Sequence, residues 1–234
     1  ECLMEEDFTA VQVYVIYLKA CFFLYKLDKV KQTYQKISFL FDGWEVPYYA
    51  AQAVLRQKIF WNDIHIRNIQ YEEAKRILWA ADRNKFQSGG MTDTDSKDLE
   101  IRIVLLKNLI QSGLSDSEEE RERFYKEALK IFENQKETSW NHIGAQKFFY
   151  SKEEAGRRDM ETALMLAQFA IERNKSSEAY GILKNYQEEQ KEPLFWYDFA
   201  ICLEMAGEEE AALRIYQKIW KEYGVYADIC IRIS

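Results

Sequence analysis

The sequence predicts an all-α protein, an α-α superhelix or solenoid of antiparallel helical hairpins. Three observations predict it. Only 2 Pro and 9 Gly interrupt 234 residues, too few breakers for a sandwich of short strands and well suited to long helices. Mostly apolar residues recur at i, i+3, i+4 and i+7, as at Val30, Thr33, Tyr34, Ile37, Leu40 and Phe41, which is the period of an amphipathic helix. Toward the C-terminus small and aromatic residues alternate at set spacings, and Ala179 and Ala212 stand 33 residues apart, consistent with one step of a repeat.

The first hairpin is expected over Phe8–Tyr25 and the helix holding Val30–Phe41, turning near Leu27-Asp28. Phe8–Tyr25 is the most apolar window, yet it contains Gln12 and Lys19 and follows acids. A spanning helix wants about 20 almost uninterrupted apolar residues and a signal peptide a basic start, so a buried solenoid helix is expected and no membrane span. Asp42-Gly43 ends the hairpin and Pro47 opens a third helix, about Tyr48 to Phe60. Ala74, Ile77, Leu78 and Ala81 mark a fourth, and the ambiguous stretch Trp61–Gln70 before it is open to being an early start of that helix. Gln87–Asp98, rich in Gly, Ser, Thr and Asp and without period, reads as a flexible loop. It separates N-terminal hairpins at 1–86 from a C-terminal array at 99–234, in one continuous solenoid.

Helices follow at Leu99–Gln111 and from Ser115–Glu120 through Phe132; Glu137–Tyr150 is apolar enough to be packed. Others are expected at about Glu153–Arg173, Ser176–Gln190, Leu194–Ala206 and Glu208–Tyr223, with a short piece at Ala227–Ile233.

Composition narrows function. Hydrophobic residues are 47% and charged residues 30%, ordinary for a soluble globular chain. The aromatic share of 15% means large side chains fill many helix contacts. A formal charge of −7 suits phosphate backbones poorly, so no nucleic-acid partner is expected. Cys2, Cys21, Cys202 and Cys230 form neither a C-x-x-C pair nor a zinc spacing; reduced thiols in a cytoplasmic setting are the expectation. The opening on Glu1 reads as a fragment or a processed form, and Ala227–Ser234 as a truncated helix through which copies could self-associate.

Counting from Pro193, residues Trp196, Phe199, Ala200, Leu203, Gly207, Ala212, Leu213 and Tyr216 fall at positions 4, 7, 8, 11, 15, 20, 21 and 24. Counting from Met160, Ala163, Leu166, Ala167, Ala170, Ala179 and Leu183 fall at 4, 7, 8, 11, 20 and 24, with Asn174 at 15. This resembles the tetratricopeptide (TPR) repeat, a helix–turn–helix unit of about 34 residues, and the resemblance is clearest over Met160–Ile233. Alanines such as Ala200 and Ala212 suit it physically, because closely packed helices leave no room for a larger side chain.

The resemblance implies a scaffold that binds a protein or peptide on the face lined by first helices. Its positions 2, 5, 9, 12 and 13 are Glu161, Leu164, Gln168, Ile171 and Glu172 in one unit, and Leu194, Tyr197, Ile201, Glu204 and Met205 in the next. Apolar anchors with acids at the rim would suit a peptide carrying hydrophobic groups and some positive charge; packing against a neighbouring helix or a C-terminal cap is the competing expectation for the same residues. Neither unit has the Lys/Asn set with which one TPR subclass clamps chaperone tails; a basic clamp built from the N-terminal hairpins stays open as the alternative.

No catalytic constellation is evident. His65 and His142 lack a positioned nucleophile or orienting carboxylate in sequence, and no P-loop or nucleophile elbow occurs. Asp93, Asp95 and Asp98 miss the Gly and Glu of a calcium loop. Ser115 and Ser117, among acids, read as a helix start, with acid-directed phosphorylation as the alternative. The expectation is therefore a non-catalytic binding scaffold without cofactor or metal; a peptide-sensing regulatory domain and, further off, a helical-hairpin enzyme subunit are the alternatives.

Overall fold

The computed structural model describes residues 11–38, 45–57, 64–84, 93–143, 152–186 and 192–233. The described residues form helices and no strand. In chain order the helices are α1 (Val11–Phe23), α2 (Leu27–Ile37), α3 (Glu45–Arg56), α4 (Ile64–Asn84), α5 (Asp93–Leu114) and α6 (Glu118–Ile143). Then come α7 (Lys152–Glu172), α8 (Ser176–Lys184), α9 (Pro193–Met205), α10 (Glu209–Tyr223) and the single turn α11 (Ile229–Arg232). Successive helices pack on one another from α1 to α5 and again from α7 to α11. The chain divides into two compact units, Glu1–Glu127 and Ala128–Ser234, and the divide falls inside α6.

Three helix pairs share one turn. At the end of α1 the Lys26 N–H donates to the Cys21 carbonyl (2.8 Å) and the Tyr25 N–H to the Phe22 carbonyl (3.0 Å). After α7, Lys175 donates to Ala170 (2.8 Å) and Asn174 to Ile171 (3.0 Å); after α9, Glu208 donates to Leu203 (2.9 Å) and Gly207 to Glu204 (3.1 Å). This paired 6→1 and 5→2 bonding closes the helix and satisfies its last carbonyls. It needs a left-handed residue at its centre, and Tyr25, Asn174 and Gly207 have φ of 56°, 57° and 82°. Five residues beyond each stand Val30, Ala179 and Ala212, and seven residues before each stand Leu18, Ala167 and Ala200; all six are buried. The spacing that marks the C-terminal repeat therefore also governs the α1–α2 pair.

α3 is the centre of the first unit: every residue from Val46 to Arg56 is buried. Its C-terminal carbonyls are satisfied by side chains from both neighbours. The Tyr25 hydroxyl donates to the Arg56 carbonyl at 2.8 Å, and the Gln70 amide to the Gln57 carbonyl at 2.9 Å. The Arg56 guanidinium lies 5.6 Å from the Phe22 ring centre.

Several boundaries differ from the sequence expectation. The first turn lies at Leu24–Lys26 rather than Leu27-Asp28, because Tyr25 takes the left-handed conformation. The ambiguous stretch resolves as an early helix start from Ile64, so Ile64–Gln70 belongs to α4. Of the expected loop Gln87–Asp98, residues 87–92 lie outside the described residues and Asp93–Asp98 are helical. The acids of that segment stand where a helix dipole favours negative charge, which outweighs their turn propensity. α6 continues to Ile143, taking in the start of the segment expected to be packed, whose remainder at 144–150 lies outside the described residues. α8 ends at Lys184, short of Gln190.

No described helix is long and apolar enough to cross a membrane; α1 has 13 residues. Among the described residues, Cys21 and Cys202 are buried, Cys230 is exposed, and none forms a disulfide.

Candidate partner-binding site

Of the ten residues predicted to face a partner, seven are buried. Leu194, Tyr197 and Ile201 on α9, and Glu161, Leu164 and Gln168 on α7, are all buried, with Glu161 the most accessible at 8%. Ile171 is buried and Glu172 half-buried. Only Glu204 and Met205, at the end of α9, are exposed. Positional analogy presumes an open face on the first helices. Here Tyr197 is covered by the chain's own continuation: its hydroxyl donates to the Asp228 carboxylate, and its ring lies 5.8 Å from that of Tyr226.

That continuation is held by a polar clasp. Arg232 donates from Nη1 to both Glu204 oxygens (2.8 and 2.6 Å) and from Nε to Asp228 Oδ1 (3.0 Å). The Tyr216 hydroxyl donates to Glu204 Oε2 at 2.8 Å, and the Arg232 guanidinium lies 5.8 Å from the Tyr216 ring centre. Nη1 alone spans both Glu204 oxygens while Nε holds Asp228, so the guanidinium ties two carboxylates together through charge-assisted hydrogen bonds. Below it Tyr226 and Ile229 are buried, whereas Val225 and Ile231 are exposed.

The clasp makes two predictions. Burial pushes the Asp228 carboxyl up, but hydrogen bonds from Arg232 and Tyr197 and the charge of Arg232 prevail and hold it below its ordinary value. A depressed folded value stabilises the native state above the unfolded carboxyl pKa of about 3.9 and loses that contribution as pH falls through the folded value. Asp228→Asn should therefore unfold with a smaller loss of Tm between pH 7 and pH 3 than the parent. The difference should correspond to less than about 1 kcal/mol, because these side chains are partly solvated. Ala227 has φ of 47°. Ala227→Gly should remove left-handed strain and, after the extra chain entropy of glycine, raise stability by roughly 0.5–1 kcal/mol in denaturant titration.

The first unit holds an open trough of about 300 Å3. α2 and α4 both pack on α3, and the methyl of Ala50 on α3 lines the trough between them. One wall is Lys31, Tyr34 and Gln35 of α2, at i, i+3 and i+4; the other is Glu73, Arg76, Ile77 and Ala80 of α4, at i, i+3, i+4 and i+7. Helical spacing puts each set on a single face.

Lys31 is engaged, 3.7 Å from Glu73 and donating to Gln57 Oε1 at 3.2 Å, while Gln57 donates onward to Asp28 at 2.7 Å. Among the described residues, Arg76 makes no hydrogen bond or ion pair and is exposed. Burial pushes the Tyr34 hydroxyl above its ordinary value, with the Arg76 charge acting against it, so Tyr34 is a neutral donor at neutral pH. Of the trough residues only Tyr34 and Ile77 stand out in the sequence, as members of apolar helical periods; Lys31, Gln35, Glu73 and Arg76 do not. Their signal is two polar stripes of helical period, which solvated helix faces share.

Ser115 is buried with its hydroxyl on the Gln111 carbonyl at 2.8 Å. Ser117 is exposed and accepts the Glu120 N–H at 3.3 Å, as a helix-capping serine does. His65 lies on α4 and His142 on α6, with side chains outside the described residues. Among the described residues no group of His, Cys, Asp and Glu is arranged to hold a metal ion.

Comparison with protein-family profiles, with curated proteins and with solved structures finds no match to this chain.

Proposed function

We propose that this chain is a non-catalytic scaffold of TPR-like helical hairpins that binds a protein or peptide partner. The observation that carries the reading is the trough between α2 and α4, whose walls are already held on α3 before any ligand arrives. A pre-formed wall loses little ordering entropy on binding. The shared left-handed turn of the three hairpins supports the repeat half of the reading, since one supersecondary unit recurring is what such arrays are made of.

The burial of Tyr197 and Ile201 moves the expected contact surface away from α9. A photo-cross-linking residue at Gln35 should capture a discrete partner from native lysate, and the same residue at Met205 should capture less of it. Equal, diffuse labelling from both positions, with no discrete partner at either, overturns the scaffold reading.

A further inference from the structure

We propose that the α2–α4 trough is a carboxylate-recognition site, and that it takes an acidic side chain of a peptide partner. The proposal rests on the scaffold reading and names the ligand chemistry of the same site. The lining carries Lys31 and Arg76 against Glu73, one excess positive charge on a chain of net charge −7. With Lys31 paired to Glu73, that excess charge is Arg76, and a cation unpaired among the described residues, beside a trough in an acidic chain, favours an anion.

The cations have different roles. Lys31 is already shared between Glu73 and Gln57, so it contributes charge and little new bonding. Arg76 makes no ion pair among the described residues, and its planar fork matches a carboxylate two-pronged. Tyr34 adds a neutral hydroxyl donor, while its ring and the half-buried Ala80 offer an apolar surface for the methylenes of an acidic side chain. A space of about 300 Å3 lies at the small end of ligand sites. It admits a side chain with its flanking backbone and leaves the remainder of a peptide to run along the helices.

Glu73 sharpens the test, because it faces the same space and repels an incoming carboxylate. The probes are two fluorescein-labelled hexapeptides, one with three Glu and one with Gln in their place, titrated by anisotropy at 50 and 300 mM salt. The Glu peptide should bind at least about tenfold more tightly than the Gln peptide, with the gap shrinking at high salt. Arg76→Gln, an exposed site whose circular dichroism should be unchanged, should lose about tenfold for the Glu peptide alone. Glu73→Gln should tighten that peptide by about threefold, an effect that damage to the fold would not produce.

Equal binding of both peptides, or an unaltered Arg76→Gln, overturns the carboxylate assignment and leaves the scaffold intact. No binding of either peptide, beside a discrete partner cross-linked from Gln35, does the same. Succinate competing as tightly as the peptide would make the ligand a free dicarboxylate and overturn the peptide assignment.

Discussion

Phe195→Ala should destabilise the second unit by about 3–5 kcal/mol, the range for emptying a buried aromatic position. Phe195 is fully buried near the start of α9. Its ring stacks on that of Phe199 at 6.0 Å and meets Trp196 edge-on at 5.3 Å, and Phe199 in turn lies 5.3 Å from Tyr180 on α8. Phe199 reaches α8, and Phe195, fully buried one turn earlier on the same face of α9, stacks on it, so truncation removes the support of that ring and opens a cavity that close-packed helices fill only by moving. Against a total stability of roughly 5–15 kcal/mol, the urea midpoint should fall by about a fifth or more. Phe195→Leu, which keeps most of the volume, should lose much less. A fall below about 1 kcal/mol for the alanine variant would show that the α8–α9 contact does not hold this unit together.

Gly113→Ala should destabilise by about 1–3 kcal/mol, the cost of overpacking, although helix propensity alone favours alanine by about 1 kcal/mol. A Cβ built on Gly113 would come within 2.2 Å of the Tyr71 ring. Gly113 sits in the last turn of α5 and Tyr71 is buried on α4, so the glycine exists to let the ring approach the α5 backbone. The check is a double-mutant cycle with Tyr71→Leu in equilibrium denaturation. Removing the ring should make Gly113→Ala neutral or stabilising, giving a coupling of at least about 1 kcal/mol. Simple additivity would mean that the ring does not occupy that space.

Helical content, pairing of neighbours and the turn spacing of the C-terminal hairpins were legible because each rests on local spacing. Gly207 and Asn174 advertise a left-handed turn by residue type, and Ala179, Ala200 and Ala212 advertise close packing by size. Tyr25 does neither. A tyrosine at φ of 56° contradicts its propensity, and the compensation is a hydroxyl bond to the Arg56 carbonyl 31 residues away. The N-terminal hairpin therefore shares the turn of the other two while hiding its mark. Gly113 likewise reads as a helix stop near the end of α5, and only the Tyr71 ring gives it a packing role.

The site divides along the same line. A face assigned by repeat position was legible, but whether that face is open was not: Tyr197 is covered by Tyr226 and Asp228, and Glu204 is gripped by Arg232, 28 residues later. The trough was invisible in sequence for the opposite reason. Lys31, Tyr34 and Gln35 are separated from Glu73, Arg76 and Ile77 by about 40 residues and by a whole helix. By itself, then, the sequence determined that this chain is helical, where most of its helices lie, and which small residues must meet a neighbour, because the period of a helix and the size of a side chain act within a few residues. Only the tertiary structure decided which faces are covered and which charges share a space, because burial and electrostatic proximity depend on residues that chain distance keeps apart and packing brings together.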